Sequence, residues 1–357
     1  MSTRRPITRD LSIDTPRPGA PSSAPMSTDG KVVRFGILGA ARIAPLALIR
    51  PAGHVSEARV VAVAARDHER AARFAKKHGI ARAHGSYEAL LADPEVDAIY
   101  NPLPNGLHGR WTRAALAAGK HVLCEKPFTA NADEAIEVAR AATASGLVVM
   151  EAFHYRYHPL AIRMREIVDS GELGTLQRVE TALCFPLPRF SDIRYSHALA
   201  GGATMDAGCY AVHIARLLGR EEPEVVSAVA KLRDANVDRA MTAELRFPSG
   251  HTGQVLCSMW SATLLRIRAR VVGSAGELRV LNPVMPQLLH KLTVIAGGKR
   301  RVERLSRRPT YEFQLEAFCA AVLRGAPILT PPSDAIANMR VIDAIYRKAG
   351  MQPRLPS

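Results

Sequence analysis

Lys126, Asp206 and Tyr210 are the residues of this chain whose types and settings suit chemistry on a hydroxyl group. Lys126 lies in Cys124-Glu125-Lys126-Pro127, directly after a short apolar run, so its ammonium stands at the end of a buried strand and is fixed by the proline that follows. An ordinary ion pair with Glu125 is the alternative role. Asp206 and Tyr210 are four residues apart in a helical pattern, which places both on one face, with His213 and Arg216 continuing nearby. An acid and a phenol on one face suit proton transfer; the plainer reading is that Asp206 caps the helix and Tyr210 packs. A phenol with its ordinary pKa of about 10 is a poor base at neutral pH, and an adjacent ammonium would lower it.

A second constellation implies what the hydroxyl chemistry uses. Gly39-Ala40-Ala41-Arg42-Ile43-Ala44 follows an apolar run from Val32 to Leu38. Small residues between a strand and a helix let the backbone approach a pyrophosphate and aim the helix N-terminus at its charge, although they also serve to pack helices on strands. The next strand ends at Val63-Ala64-Ala65-Arg66-Asp67, with Ala65 where an NAD-preferring protein places a carboxylate for the ribose 2′-hydroxyl. Arg66 and Arg70 can meet a 2′-phosphate through charge-assisted bonds, so NADP is expected ahead of NAD. The alternative leaves both arginines solvated and gives an NAD ribose to Asp67 or Glu69. Further on, the loop Asn101–His108 contains Pro102 and Pro104; Asn105 suits a helix N-cap and His108 a helix interior, or either reaches the nicotinamide ribose. Cofactor contacts are expected from Gly39, Ala41, Arg42, Ile43, Arg66, Arg70, Pro102, Asn105, His108, Glu125 and Lys126.

These residues need a scaffold that brings strand ends together. Strand-like runs over Val32–Leu38, Val60–Ala65, Val96–Tyr100, His121–Cys124 and Val148–Ala152 alternate with helical stretches closed by Gly79, Gly119 and Gly146. The alternation predicts an α/β fold: an N-terminal doubly wound parallel sheet over residues 31–152, with ligands outside the strand C-termini. From residue 153 the rhythm changes. Helices over Leu160–Ser170 and Ala203–Leu218 bracket an irregular stretch, and strand-like runs at 225–233, 240–247, 252–260, 265–272, 277–281 and 291–305 follow without helices between them. This predicts an α+β domain over 153–350 with a largely antiparallel open sheet. Two helices near 311–324 and 334–349 close it, packing back on the first domain, and 351–357 reads as a tail.

Residues 1–30 carry Pro, Ser and Arg but no apolar stretch, so they read as a disordered tail, not as an export signal after Arg4-Arg5, and Met26 is a candidate natural start. No segment is long and apolar enough for a membrane span. Five scattered cysteines, Cys124, Cys184, Cys209, Cys257 and Cys319, suit a reducing cytoplasm. A net charge of +15 raises the question of nucleic acid, but the densest basic run, Lys299-Arg300-Arg301 with Arg304, Arg307 and Arg308, alternates with Val302 and Leu305, and aromatic content is 5%. A solvated sheet edge is expected there, with no nucleic-acid partner.

Together, Val33–Ala44, Gly119–Pro127, Glu151-Ala152-Phe153-His154-Tyr155-Arg156-Tyr157-His158-Pro159 and Gly201-Gly202-Ala203-Thr204-Met205-Asp206-Ala207-Gly208-Cys209-Tyr210 resemble the Gfo/Idh/MocA oxidoreductases over about residues 31–350. The resemblance implies a Rossmann domain and a C-terminal domain whose open sheet often forms the oligomer interface, hence a homodimer or homotetramer. It also implies hydride transfer to or from a sugar, polyol or dihydrodiol. Lys126 matches the family's catalytic lysine. Tyr210, where many members have histidine, is similar to the glucose–fructose oxidoreductase and dihydrodiol dehydrogenase branch, which favours NADP. Arg156 and Arg194 fall where relatives approach nicotinamide or substrate, so substrate contacts are expected from His154, Arg156, Arg194, Asp206 and Tyr210. His154 departs from the apolar residue many relatives have. His154 and His158 are four apart, but without a Glu of His-Glu-x-x-His type or an evident third ligand no metal site is expected.

The expected mechanism has Tyr210 exchanging the hydroxyl proton, Lys126 lowering the phenol pKa and stabilising alkoxide charge, and Asp206 orienting hydroxyls or Lys126. Two rivals share the fold: a catalytically silent NADP-binding sensor, and a redox-assisted glycosidase or isomerase with no net cofactor turnover.

Overall fold

Six strands, Val33–Leu38 (β1), Ala58–Ala64 (β2), Arg82–His84 (β3), Ala98–Asn101 (β4), His121–Cys124 (β5) and Val149–Glu151 (β6), form a parallel sheet in the order β3-β2-β1-β4-β5-β6. The computed structural model describes residues 31–357, and the tail expected over 1–30 lies outside them. Strand order reverses between β1 and β4, which opens the crevice at their C-terminal ends where ligands bind in such sheets. The turn at Gly39 leaves β1 and the Asn101–Asn105 loop leaves β4 at this point. β3, too short and polar to stand out as a run, adds an edge strand that the sequence pattern did not reveal.

The helices begin and end as their sequences dictate. Asp67 caps His68–His78 by accepting from Glu69 N, Gly79 closes it in the left-handed region, and Asn131 caps Ala132–Ser145 by accepting from Glu134 N.

The second sheet has eight strands: Leu176–Cys184 (β7), Glu224–Asp234 (β8), Val237–Arg246 (β9), Thr252–Ser258 (β10), Arg266–Gly273 (β11), Gly276–Leu281 (β12), Lys291–Ala296 (β13) and Lys299–Glu303 (β14), in the order β14-β13-β12-β11-β7-β10-β9-β8. β7 runs parallel to β10 and antiparallel to β11. It occupies part of the stretch read as irregular, and its outward residues Arg178 and Glu180 pair with Glu244 and Arg270 across neighbouring strands. The basic run falls on edge strand β14 and beyond: Arg301 pairs with Glu172 and Glu303, and Arg308 with Glu312 and Glu316. Charge on an edge strand discourages further strand pairing.

The last helices join the two sheets. Thr310–Arg324 buries Tyr311, Leu315, Phe318 and Cys319, a spacing of one helical face, against Val33, Phe35 and Ile37 of β1. Phe318 stacks tilted on Phe35 with ring centroids 5.5 Å apart, and such a buried side chain contributes roughly 1.5–3 kcal/mol. Residues 351–357 are not a loose tail. Arg354 is 1% exposed, donates to Gly201 O at 2.9 Å, pairs with Asp238 at 3.0 Å and lies over the Tyr346 ring. Asn131 donates to Arg354 O, and Ser357 N donates to Gly106 O, so this segment laces the β4 loop to the loop before Tyr210. An arginine that finds buried acceptors is held even where the sequence is proline-rich. Among the described residues no helix is long and apolar enough to cross a membrane.

Candidate active site

Lys126 follows β5 and joins Pro127 through a cis peptide bond. Its ammonium donates to the Asp206 carbonyl at 3.1 Å and stands 4.9 Å from the centre of the Tyr210 ring. The ion pair with Glu125 is not formed. Glu125 instead accepts from Tyr100 Oη at 2.7 Å and from Lys126 N at 3.3 Å, and burial raises its pKa against the pull of Lys126.

Asp206 and Tyr210 reach the cleft from one segment, but not as a regular helix. Thr204–Gly208 is wound as a π-helix, and only Cys209–Gly219 is α-helical. Its start is fixed by Asp238, which accepts from Thr204 N and Oγ1. Gly202, at φ +144°, precedes it; a Cβ there would collide with the Asp238 carboxylate. The wider turn separates the two side chains. Asp206 faces Arg194 at 3.6 Å and Asn105 at 3.4 Å, whereas the Tyr210 hydroxyl meets His154 Nε2 at 2.9 Å. Burial pushes the Asp206 carboxyl up to about 6, opposed by Lys126 and Arg194.

The phenol corrects the expected mechanism. Burial holds Tyr210 well above the ordinary tyrosine value, with Tyr311 and Glu125 adding to the rise. Lys126 lies over the ring face, and burial outweighs its pull on the hydroxyl. Tyr210 is therefore a neutral phenol.

His108 takes the helix role weighed for it and not the ribose contact, whereas His154 takes another place than expected. His108 is buried, its ring nitrogens 2.7 Å from the carbonyl oxygens of Pro127 and Leu103, and burial lowers its pKa to about 4. Neutral, it donates to one of these carbonyls and fills the space between the β4 loop and the β5 loop, away from a ribose. His154 is 2% exposed, behind Tyr210, with Nδ1 2.8 Å from Thr310 Oγ1, so it supports the phenol instead of lining the cleft for substrate. His158 Nδ1 accepts from Leu160 N as a helix cap. Among the described residues no group of three or more metal-ligating side chains occurs. The charge of Arg156 acts on Tyr155, Tyr157 and His213. Asn105 is not a helix cap; its Nδ2 donates to Ala200 O at 3.2 Å as well as to Asp206.

At the other end of the crevice, Gly39 at φ +81° turns the chain out of β1, and a Cβ there would press on Leu103 Cδ2 at 3.1 Å. This leaves a bare backbone cradle, with Ala41 and Ile43 partly exposed beside it and Pro102 buried beneath. Arg66 and Arg70 are exposed at the end of β2; Arg70 donates to Ala40 O at 3.3 Å, and both act on Tyr87, whose hydroxyl also approaches Gly39. Asp67 is spent on capping and Glu69 on Arg73. A glycine cradle with the exposed guanidinium groups of Arg66 and Arg70 beside it fits a dinucleotide bearing a 2′-phosphate. Asp192, missed by sequence reasoning except as a neighbour of Arg194, bridges the halves: it pairs with Arg194 at 3.1 Å and with Arg42 at 3.5 Å.

Residues 33–153 match the model of the oxidoreductase family with an NAD-binding Rossmann fold, Gfo/Idh/MocA, and residues 161–279 match the Gfo/Idh/MocA C-terminal domain. A D-xylose 1-dehydrogenase (NADP(+)) of Haloferax volcanii is 42% identical over 316 residues, covering 88% of this chain and 97% of that protein. A trans-1,2-dihydrobenzene-1,2-diol dehydrogenase of Macaca fuscata fuscata is 39% identical over 64% of this chain and 68% of its own length. Among solved structures, KijD10, a 3-ketoreductase from Actinomadura kijaniata in complex with NADP and TDP-benzene, superimposes with a TM-score of 0.83 at 29% identity, covering 89% of this chain and 98% of that one.

Proposed function

The chain belongs to the Gfo/Idh/MocA oxidoreductase family and is an NAD(P)-dependent oxidoreductase, and we propose that it uses NADP to oxidise or re-form a hydroxyl-bearing carbon of an aldose or related polyol. The observation that carries this reading is Lys126 after β5, its Nζ bonded to the Asp206 carbonyl and set over the Tyr210 ring. An aldose is preferred to a dihydrodiol because similarity to the D-xylose dehydrogenase runs through 88% of the chain and to the dihydrodiol dehydrogenase through 64%.

Gly39, Ala41, Arg42 and Ile43 would hold the pyrophosphate and Arg66 with Arg70 the 2′-phosphate. When bound, the nicotinamide supplies or accepts the hydride. In reduction, the neutral Tyr210 gives its proton to the carbonyl oxygen, and the Lys126 ammonium stabilises the alkoxide charge that develops there. Asp206, held by Arg194 and Asn105, accepts from a neighbouring substrate hydroxyl and fixes which carbon faces the nicotinamide. Lys126 thus acts chiefly on the substrate oxygen. Self-association as a dimer or tetramer would use the open sheet, where β8 exposes Val226, Val229 and Leu232.

The test is an assay of the purified protein with NADP⁺ against aldoses including D-xylose, polyols and a dihydrodiol, followed at the reduced-nicotinamide band. Net NADPH with an aldose is expected. Product without net NADPH would mean a redox-assisted glycosidase or isomerase, and tight NADP binding with no product from any substrate would mean a sensor.

A further inference from the structure

His154 opens the short 3₁₀ turn His154–Tyr157, and its ring is held between two hydroxyls, Tyr210 Oη at 2.9 Å from Nε2 and Thr310 Oγ1 at 2.8 Å from Nδ1. The partners lie 56 and 156 residues away in the chain. Tyr311 packs against the same ring with centroids 4.1 Å apart, and Thr310 is fully buried. Burial keeps the imidazole neutral, its pKa lowered to about 3 with Lys126 and His158 contributing, so it carries one proton.

Hydrogen-bond satisfaction decides which nitrogen has that proton. Among the described residues Thr310 Oγ1 has one partner, Nδ1. Were Nδ1 protonated, the Thr310 hydroxyl hydrogen would be sealed in the core with no acceptor, bearing the full desolvation of a donor. The Thr310 O–H therefore donates to Nδ1, Nε2 carries the hydrogen, and Nε2–H donates to the Tyr210 oxygen. With its oxygen occupied from behind, the Tyr210 O–H points away from His154, towards the cleft.

We propose that His154 is a positioning residue that fixes the Tyr210 hydroxyl rotor, aims its proton at the substrate oxygen and holds the oxygen after the proton has left. The proposal rests on Tyr210 as the proton donor. In reduction the carbonyl carbon gains the hydride supplied by reduced nicotinamide, the Tyr210 O–H bond breaks as the product O–H bond forms, and the phenolate is left bonded to Nε2–H until solvent returns a proton. His154 transfers no proton of its own. The groups facing Tyr210 explain why the phenolate needs this bond. Glu125, Cys209, Tyr155 and Tyr311 all oppose its charge, and Lys126 over the ring face and the Nε2–H are what favour it.

The tautomer is read directly by ¹⁵N NMR of the histidine-labelled protein without cofactor, with His154→Met assigning the resonances. A protonated Nε2 and bare Nδ1 are expected, with Thr310→Val abolishing the preference and Thr310→Ser keeping it; a protonated Nδ1 or an imidazolium overturns the proposal. In carbonyl reduction, His154→Met should lower kcat about tenfold, the kinetic equivalent of one charge-assisted hydrogen bond, with KM and NADPH affinity unchanged. His154→Gln, whose amide N–H reaches the same oxygen, should recover most of the rate. If Tyr210→Phe is inactive and His154→Met keeps wild-type kcat, the role of His154 falls and that of Tyr210 stands. If Tyr210→Phe is fully active, the donor assignment itself has failed.

Discussion

At the ribose end of the crevice, Arg66 and Arg70 stand exposed beside the Gly39 cradle, all within the first two strand–helix units, whereas at the chemical end Lys126, Tyr210, His154 and Thr310 come from four separate segments and the last three are buried. The exposed end has groups in water whose charge is available to a phosphate; the buried end has groups whose protonation is set by desolvation and by one another. The proposed function therefore assigns affinity and cofactor choice to the first region and rate to the second. Substitutions should separate along that line.

The largest effect is expected at the buried end. Tyr210→Phe and Lys126→Met should each lower kcat by roughly a hundredfold or more while leaving NADP affinity and melting temperature close to wild type, measured by steady-state kinetics beside cofactor titration. Both are proposed to act on the same substrate oxygen, so the double variant should be little worse than either alone. A loss of NADP affinity equal to the loss of rate would erase the distinction between the two ends.

Arg66→Ala should do the reverse. One lost phosphate contact at an exposed site, about 1.5 kcal/mol, weakens NADP roughly tenfold, with NAD affinity and kcat little changed. Equal weakening of both cofactors would place the 2′-phosphate elsewhere.

Asp206 gives a subtler mark. Its carboxyl, raised to about 6 by burial, is an anion above that pH and neutral below it, so substrate orientation and kcat/KM should fall as pH drops through 6. Because the folded value lies above the ordinary one, the folded state binds the extra proton between about 4 and 6, and this group's contribution to stability also declines as pH rises through that window. Asp206→Asn should remove the acid limb from the pH–rate profile at a lower plateau.

What could be read in the chain follows the same division. The β1 turn, the arginines after β2 and Lys126 before Pro127 are local patterns, each set by a few consecutive residues, and the structure places them at the mouth of one sheet. The π-turn at Thr204–Gly208 has no comparable signal, since it arises where Asp238 holds Thr204 and the segment packs on β10, contacts made across the chain. β7 went unseen because its outward face is charged and its pairing partner β10 lies far along the sequence. The His154–Thr310 contact, 156 residues apart, leaves no trace in spacing at all. The lowered phenol pKa was expected from an ammonium nearby and failed because burial, which no local pattern reports, outweighs it.

The most direct test of the account follows the hydride. D-Xylose deuterated at C1, incubated with the protein and NADP⁺, should yield reduced cofactor carrying one deuterium at nicotinamide C4 for each sugar oxidised, accumulating free in solution. Sugar product formed while all cofactor remains oxidised, or reduced cofactor without the label, would contradict it.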